Sequence, residues 1–175
     1  MSGINAEKSG GPGLVVYTDG GCSGNPGPGG WAYVILGPSK DKPSGAGPEL
    51  VAEGSDGELQ TTNNRMELLA VIAALRKVKS LLNIDINTST ARITVYTDSQ
   101  YVQKGITQWM GNWKRNAWKT SGKQPVKNRD LWMELDSAAL NLPIDWRWVK
   151  GHAGNKYNER CDAMVHDVMT QMIAK

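Results

Sequence analysis

Phenylalanine is absent from this 175-residue chain, and cysteine occurs only twice. Seven Trp and five Tyr carry the aromatic load instead. Cys22 and Cys161 cannot build a disulfide framework, which excludes a small cross-linked scaffold and fits a reducing compartment. No apolar run approaches the ~20 residues that cross a bilayer, so no membrane association is expected. Residues 1–13 are polar and Gly-rich and lack the apolar centre of a signal peptide, so the expected location is cytoplasmic. The net charge of +3 is too small to indicate nucleic acid by itself. A local absence says more: Ser99 to Arg129 contains no Asp or Glu. That stretch holds Lys104, Lys114, Arg115, Lys119, Lys123, Lys127 and Arg129, interleaved with Trp109, Trp113 and Trp118. Basic and aromatic residues mixed in this way suit a phosphate backbone with sugars or bases stacked beside it. A solvated helix face with inward-packed Trp residues is the alternative.

What is present twice is equally informative. Val16-Tyr17-Thr18-Asp19 recurs as Val95-Tyr96-Thr97-Asp98. Each copy is a strand-like run ending on a carboxylate, a residue depleted in strands. If the two runs lie parallel and adjacent, Asp19 and Asp98 sit side by side. Neighbouring carboxylates repel unless a proton or a metal lies between them. One Asp alone is best read as a strand end or helix cap; the duplication favours a metal site.

Apolar periodicity and turn residues divide the chain into strands over 14–19, 31–36 and 49–54, the last weak and placed at an edge. A mostly buried helix follows over 64–82, then a strand over 91–97. Ser99 can cap a helix that carries the basic, Trp-rich segment, with a break expected at Gly111. A helix over 129–140, a strand over 144–149 and a helix over 155–173 complete the order. Gly20 to Gly30 reads as a turn cluster and Gly37 to Pro48 as a hairpin loop. This order predicts an α/β protein with a mixed sheet, an antiparallel meander joined to parallel βα units and flanked by helices. The length suits one domain.

Glu67 falls near the start of the first helix and Asp162 in the first turns of the last. Either alone suits the helix dipole. Together with Asp19 and Asp98 they would make an all-oxygen cluster, fit for Mg²⁺ or Mn²⁺. Two such ions about 4 Å apart can activate water and stabilise the leaving oxygen of a phosphodiester.

At this point the chain resembles the type 1 ribonucleases H of the bacterial kind. The segments that carry the resemblance are Tyr17-Thr18-Asp19-Gly20, Gly24-Asn25-Pro26-Gly27-Pro28-Gly29-Gly30 and Thr61-Thr62-Asn63-Asn64-Arg65-Met66-Glu67. They continue with Thr97-Asp98-Ser99-Gln100-Tyr101-Val102, Gly105-Ile106-Thr107-Gln108-Trp109 and Pro125-Val126-Lys127-Asn128. Trp148-Val149-Lys150-Gly151-His152-Ala153-Gly154 and Asn158-Glu159-Arg160-Cys161-Asp162 end the set. The resemblance implies a five-stranded ribonuclease H-like sheet and Mg²⁺-dependent endonucleolytic cleavage of the RNA strand of an RNA–DNA hybrid, leaving 5′-phosphate and 3′-hydroxyl ends. It implies that Asp19, Glu67, Asp98 and Asp162 bind the metal, two ions when substrate is present. It also makes His152 a mobile catalytic residue, for proton shuttling or product release. Cys22, Asn25, Asn63 and Gln100 match positions near the RNA strand or the minor groove. Thr62 and Asn128 match a DNA-phosphate pocket. Trp109, Trp113, Lys114, Arg115 and Trp118 fall in a basic protrusion, about residues 104–129, beside the DNA strand. His166 matches no motif and is read as structural or solvated.

Three departures stand out. Gln60 replaces an Arg common beside the phosphate pocket, and the 37–48 and 83–90 loops are extended. Residues 1–13 are expected as a flexible tail, too short for a hybrid-binding domain, and residues 14–175 as a monomeric catalytic domain. Rival readings are another nuclease of the same fold and a non-catalytic nucleic-acid-binding module. A pure binder gains nothing from four acids beside phosphates.

Overall fold

The computed structural model describes residues 13–38, 47–82, 92–150 and 154–174. Strands β1 (Leu14–Cys22), β2 (Gly27–Gly37) and β3 (Glu49–Thr61) form an antiparallel meander. Strands β4 (Ile93–Thr97) and β5 (Ile144–Trp148) continue the sheet in parallel on the other side of β1, giving the order β3-β2-β1-β4-β5. The helices are α1 (Asn63–Leu81), α2 (Gln100–Lys104), α3 (Met110–Arg115), α4 (Arg129–Ala139) and α5 (Lys156–Ile173). A π-helical turn, Gly105–Trp109, joins α2 to α3. Among the described residues no helix is long and apolar enough to cross a membrane.

Alternation along the strands sends side chains to two faces. On one, Val16, Ile35, Ile93 and Val95 pack against Leu68, Val71 and Leu75 of α1 and Leu131, Trp132 and Leu135 of α4. On the other, Ala32, Val34 and Leu36 meet Cys161, Met164 and Val165 of α5. Each large apolar side chain fully buried in this way contributes roughly 1.5–3 kcal/mol. Both sheet faces are therefore covered, which leaves the carboxyl ends of the parallel strands as the natural place for a site.

Several elements differ from the sequence-based expectation. The Gly20–Gly30 turn cluster is mostly strand, because β1 runs on to Cys22 and β2 starts at Gly27, paired through Cys22↔Gly29 by backbone bonds that glycine does not prevent; the turn itself is only residues 23–26. The third strand runs on to Thr61, because its backbone pairs with β2 from Gly37↔Glu49 to Gly27↔Thr61. Ladder hydrogen bonding holds this polar edge strand where side-chain pattern gives no signal. The helix after Ser99 does not break at Gly111, which lies inside α3 with open space around it. The irregular turn begins instead at Gly105, where a Cβ would run into the Trp132 ring. Helix also ends at Arg115, so much of the basic segment, from Asn116 to Asn128, is built from turns and a short Lys119↔Pro125 bridge.

Candidate active site and nucleic-acid interface

The repeated tetrapeptides are sheet neighbours in register. Val16, Tyr17 and Thr18 of β1 pair with Val95, Tyr96 and Thr97 of β4, so Asp19 and Asp98 follow side by side just beyond the paired stretch. Local bonds hold this edge. Thr18 Oγ1 donates to the Tyr96 carbonyl at 3.3 Å, and Trp148 Nε1 donates to the Asp98 carbonyl at 3.0 Å. Ser99 then caps α2, its hydroxyl accepting from the Val102 N–H at 3.2 Å.

Glu67 arrives from α1. Gly20, the residue after Asp19, has no Cβ, and one placed there would collide with the Met66–Glu67 backbone. The missing side chain lets the end of β1 lie directly on the first turn of α1. As a result Asp19, Glu67 and Asp98 each offer a carboxylate oxygen, all within 4.8 Å of one another.

These acids cannot all be ionised cheaply. Burial, and then the Asp98 and Asp162 carboxylates, push Asp19 up to about 7 from an ordinary 3.8. Burial, with Asp19 and Asp98 beside it, holds Glu67 well above the usual carboxylate range. Glu67 Oε2 is buried with no hydrogen-bond partner. An all-oxygen donor set with excess negative charge and an unpartnered buried oxygen fits a hard divalent cation, which would replace the protons.

Asp162, exposed on α5, lies outside that triad but lines the same cavity of about 370 Å³ with Asp19 and Asp98. His166, one turn further along α5, also lines it and is exposed. A larger hollow of about 470 Å³ lies between β3 and α5. The Arg160–Glu53 ion pair at 2.8 Å flanks it, and its lining holds no comparable carboxylate cluster.

The residues matched to substrate positions surround this cavity unevenly. Cys22 and Asn63 line it. The Cys22 thiol points into protein, donating to the Gly27 and Thr61 carbonyls at 3.4 Å, and burial raises its pKa. Asn25 Oδ1 accepts the Asn63 N–H at 3.2 Å, which ties the β1–β2 turn to the start of α1. Gln100 is exposed at the first turn of α2.

Thr62 precedes α1 and makes no side-chain cap bond. Asn128 sits in the left-handed region (φ 57°) ahead of α4. Arg65, which sequence reasoning left unassigned, connects the two. Its N–H donates to the Thr62 carbonyl at 3.1 Å, and its Nη1 donates to Asn128 Oδ1 at 3.4 Å. Asp130 holds the guanidinium through bonds of 3.1 and 2.9 Å. Asn128 Nδ2 and Trp132 Nε1 both donate to the Tyr101 hydroxyl, at 3.1 and 3.0 Å. Arg65 and Tyr101 both stood within matched motifs; their partners are visible only after folding.

In the basic segment Trp109, Trp113 and Trp118 are all half-buried. Trp113 packs between Trp109 and Trp132, tilted against the first and edge-on to the second, at centroid distances of 5.6 and 5.5 Å. Lys114 is paired with Asp136 at 2.7 Å, and Arg115 bonds the Asn112 side chain. Lys119, Lys123, Lys127 and Arg129 are exposed and make no ion pair among the described residues. Ala117, Trp118, Lys123 and Asn128 all have positive φ, backbone strain that persists only where surrounding contacts impose it. His152 lies outside the described residues, as do 83–91 and most of the 37–48 loop. Gln60 is exposed at the end of β3.

Comparison with known proteins agrees with this architecture. The RNase H family model matches residues 12–170. The ribonuclease H of Treponema denticola is 50% identical over 165 residues, covering 91% of this chain and 99% of the relative. That of Phenylobacterium zucineum is 47% identical over 163 residues, covering 93% and 94%. Among solved structures, LC9-RNase H1, described as a type 1 RNase H with the type 2 active-site motif, superposes with a TM-score of 0.75 at 34% identity, covering 91% of this chain and 73% of that one. LC11-RNase H1, solved in complex with RNA/DNA hybrid, shares the fold at a TM-score of 0.65 and 20% identity, covering 91% and 99%.

Proposed function

This chain belongs to the ribonuclease H family, and we propose that Asp19, Glu67, Asp98 and Asp162 hold the divalent ions with which it cuts the RNA strand of an RNA–DNA hybrid. The activity is endonucleolytic hydrolysis. The observation that carries the metal assignment is the triad of carboxylate oxygens within 4.8 Å, one from β1, one from the residue after its parallel neighbour β4 and one from α1. The donor set suits Mg²⁺, with Mn²⁺ as a substitute, and two ions are engaged once substrate phosphate completes the site. When bound, the metal stabilises charge on the phosphodiester and activates the attacking water.

The chain's own residues prepare this. Asp19 and Asp98 are aimed by the β1–β4 register, and Glu67 is held against them by the Gly20 contact. Burial and its acidic neighbours raise the Asp19 carboxyl to about 7, so a bound cation would take the place of the proton it holds. Asp162, exposed and lining the same cavity, completes the carboxylate set. His152 assists proton movement or product release.

The hybrid is gripped by residues around the cavity. Asn25, with its carbonyl oxygen occupied by the Asn63 N–H, is left with its amide donors for the RNA strand or minor groove. Cys22 contributes through the backbone it pins, Asn63 lines the cavity, and Gln100 reaches the hybrid from the exposed start of α2. Thr62 and Asn128, bridged by Arg65, receive a DNA phosphate. Lys114, Arg115 and the half-buried Trp109, Trp113 and Trp118 form the protrusion that tracks the DNA strand.

The direct test is incubation of an end-labelled RNA–DNA hybrid with and without Mg²⁺, beside matched DNA and RNA duplexes. Cleavage of the RNA strand only in the hybrid and only with a divalent ion is expected. Equal cutting in EDTA would overturn the metal assignment, and equal cutting of all three duplexes the substrate assignment.

A further inference from the structure

Among the described residues three buried side-chain polar atoms lack a hydrogen-bond partner: Thr61 Oγ1, Glu67 Oε2 and Asn158 Oδ1. Glu67 belongs to the carboxylate triad. Asn158 is only 4% exposed, yet it lines the cavity shared by Asp19, Asp98 and Asp162. It precedes Asp162 by four residues on α5, so the two side chains stand one turn apart on the same face.

The usual structural uses of this Asn are already taken. The cap of α5 is Asn155, whose Oδ1 accepts the N–H groups of Tyr157 and Asn158, both at 3.1 Å. The Asn158 side chain takes no part in it. Buried amide oxygens are nearly always satisfied, and this one has no protein donor. The cavity it lines holds the Asp19, Asp98 and Asp162 carboxylates, and none of the other lining side chains donates to Asn158 Oδ1. Hard divalent cations take amide carbonyl oxygens together with carboxylates. A neutral oxygen adds a ligand without adding to the repulsion that already raises Asp19 and Glu67.

We propose that Asn158 Oδ1 is a neutral oxygen ligand for a divalent ion held in this cavity beside Asp162. This rests on the carboxylates being metal ligands, and the experiment separates the two ideas. Mg²⁺ is titrated calorimetrically into metal-free wild type, Asn158→Leu, Asn158→Asp and Asp19→Asn, with thermal unfolding of each followed in EDTA. For Asn158→Leu the expected result is Mg²⁺ affinity about tenfold weaker, in the range for removal of a metal-site partner. Its metal-free Tm should hold or rise, since a larger side chain of the same branched shape can fill toward the adjoining cavity and removes an unpartnered oxygen. Asn158→Asp should bind Mg²⁺ at least as tightly as wild type and melt lower without it. Unchanged Mg²⁺ affinity with a lowered metal-free Tm in Asn158→Leu would show that Asn158 only packs. Should Asn158→Leu fail to fold, weakened Mg²⁺ binding by Asn158→Asp overturns the proposal in its place. Wild-type affinity in Asp19→Asn overturns the carboxylate reading, and this one with it.

Discussion

Tyr17 and Tyr96 stack across β1 and β4, with ring centroids 4.9 Å apart and planes 12° apart. They are the same residue of the same tetrapeptide, and their pairing sets the register that brings Asp19 and Asp98 together. A slip of one residue would send one of the two carboxylates to the opposite face of the sheet. Like stacks contribute about 0.5–1.5 kcal/mol beyond burial, so this pair helps lock the alignment.

Asp19→Asn should abolish most hydrolysis, by orders of magnitude at saturating Mg²⁺, while stabilising the metal-free fold above neutral pH. Raising a carboxyl from 3.8 to about 7 corresponds to a few kcal/mol of destabilisation when the group is charged, at about 1.4 kcal/mol per unit. Thermal unfolding in EDTA and a hybrid-cleavage assay check the two halves. A destabilised Asp19→Asn would contradict the electrostatic account.

The same shift fixes a pH dependence. Asp19 is raised in the folded state, and so is Glu67, so the folded protein binds protons more tightly than the unfolded chain. Asp19 carries no penalty below about pH 4, and its penalty grows as pH rises towards about 7; Glu67 acts in the same direction. Metal-free Tm is therefore expected to be higher at about pH 5.5 than at about pH 8. Saturating Mg²⁺ should reduce or reverse that difference. Identical pH profiles with and without metal would separate the cation from these acids.

Gly20→Ala places a methyl group against the α1 backbone, where no flexible side chain can yield. Overpacking of this kind costs about 1–3 kcal/mol, and relief would push Glu67 away from Asp19. Lower Tm together with weaker Mg²⁺ binding is expected. Weaker stability with full Mg²⁺ affinity would mean that the contact serves packing alone.

Gly105→Ala and Gly111→Ala make a matched pair. The first drives a methyl group into the buried Trp132 ring and should cost at least about 1–3 kcal/mol. The second lies in an exposed helix with open space and should gain about 0.5–1 kcal/mol. Urea unfolding of the two variants measures both; a reversed order would place the critical glycine where the sequence alone had put it.

Charge removal in the protrusion should depend on pairing. Lys114 is engaged with Asp136, whereas Lys119 and Lys123 are not paired among the described residues. Lys119→Ala with Lys123→Ala should raise KM more than Lys114→Ala does, with kcat little changed. The salt slope should flatten by about 0.7–0.9 log units for each phosphate that is no longer neutralised. A slope that does not move would return these lysines to an ordinary solvated surface.

Sequence alone determined the parts of this protein that local patterning controls. The five strands, the long buried α1, the cap at Ser99 and the pairing of Asp19 with Asp98 were legible because periodicity and a repeated tetrapeptide report directly on backbone and register. Glu67 and Asp162 were singled out by motif, but their distances were not. Only the tertiary structure decided that Gly20 lets α1 touch β1, so that Glu67 joins the triad and Asp162 remains at its side. It also decided that the irregular turn begins at Gly105, because Trp132 arrives there from a helix remote in sequence. Arg65, Tyr101 and Asn158 stood within matched motifs, but nothing in the sequence gave their partners or, for Asn158, the lack of one. A hydrogen bond across tens of residues, or a buried oxygen left without one, leaves no trace in local composition. It exists only once packing has excluded water and chosen the neighbours.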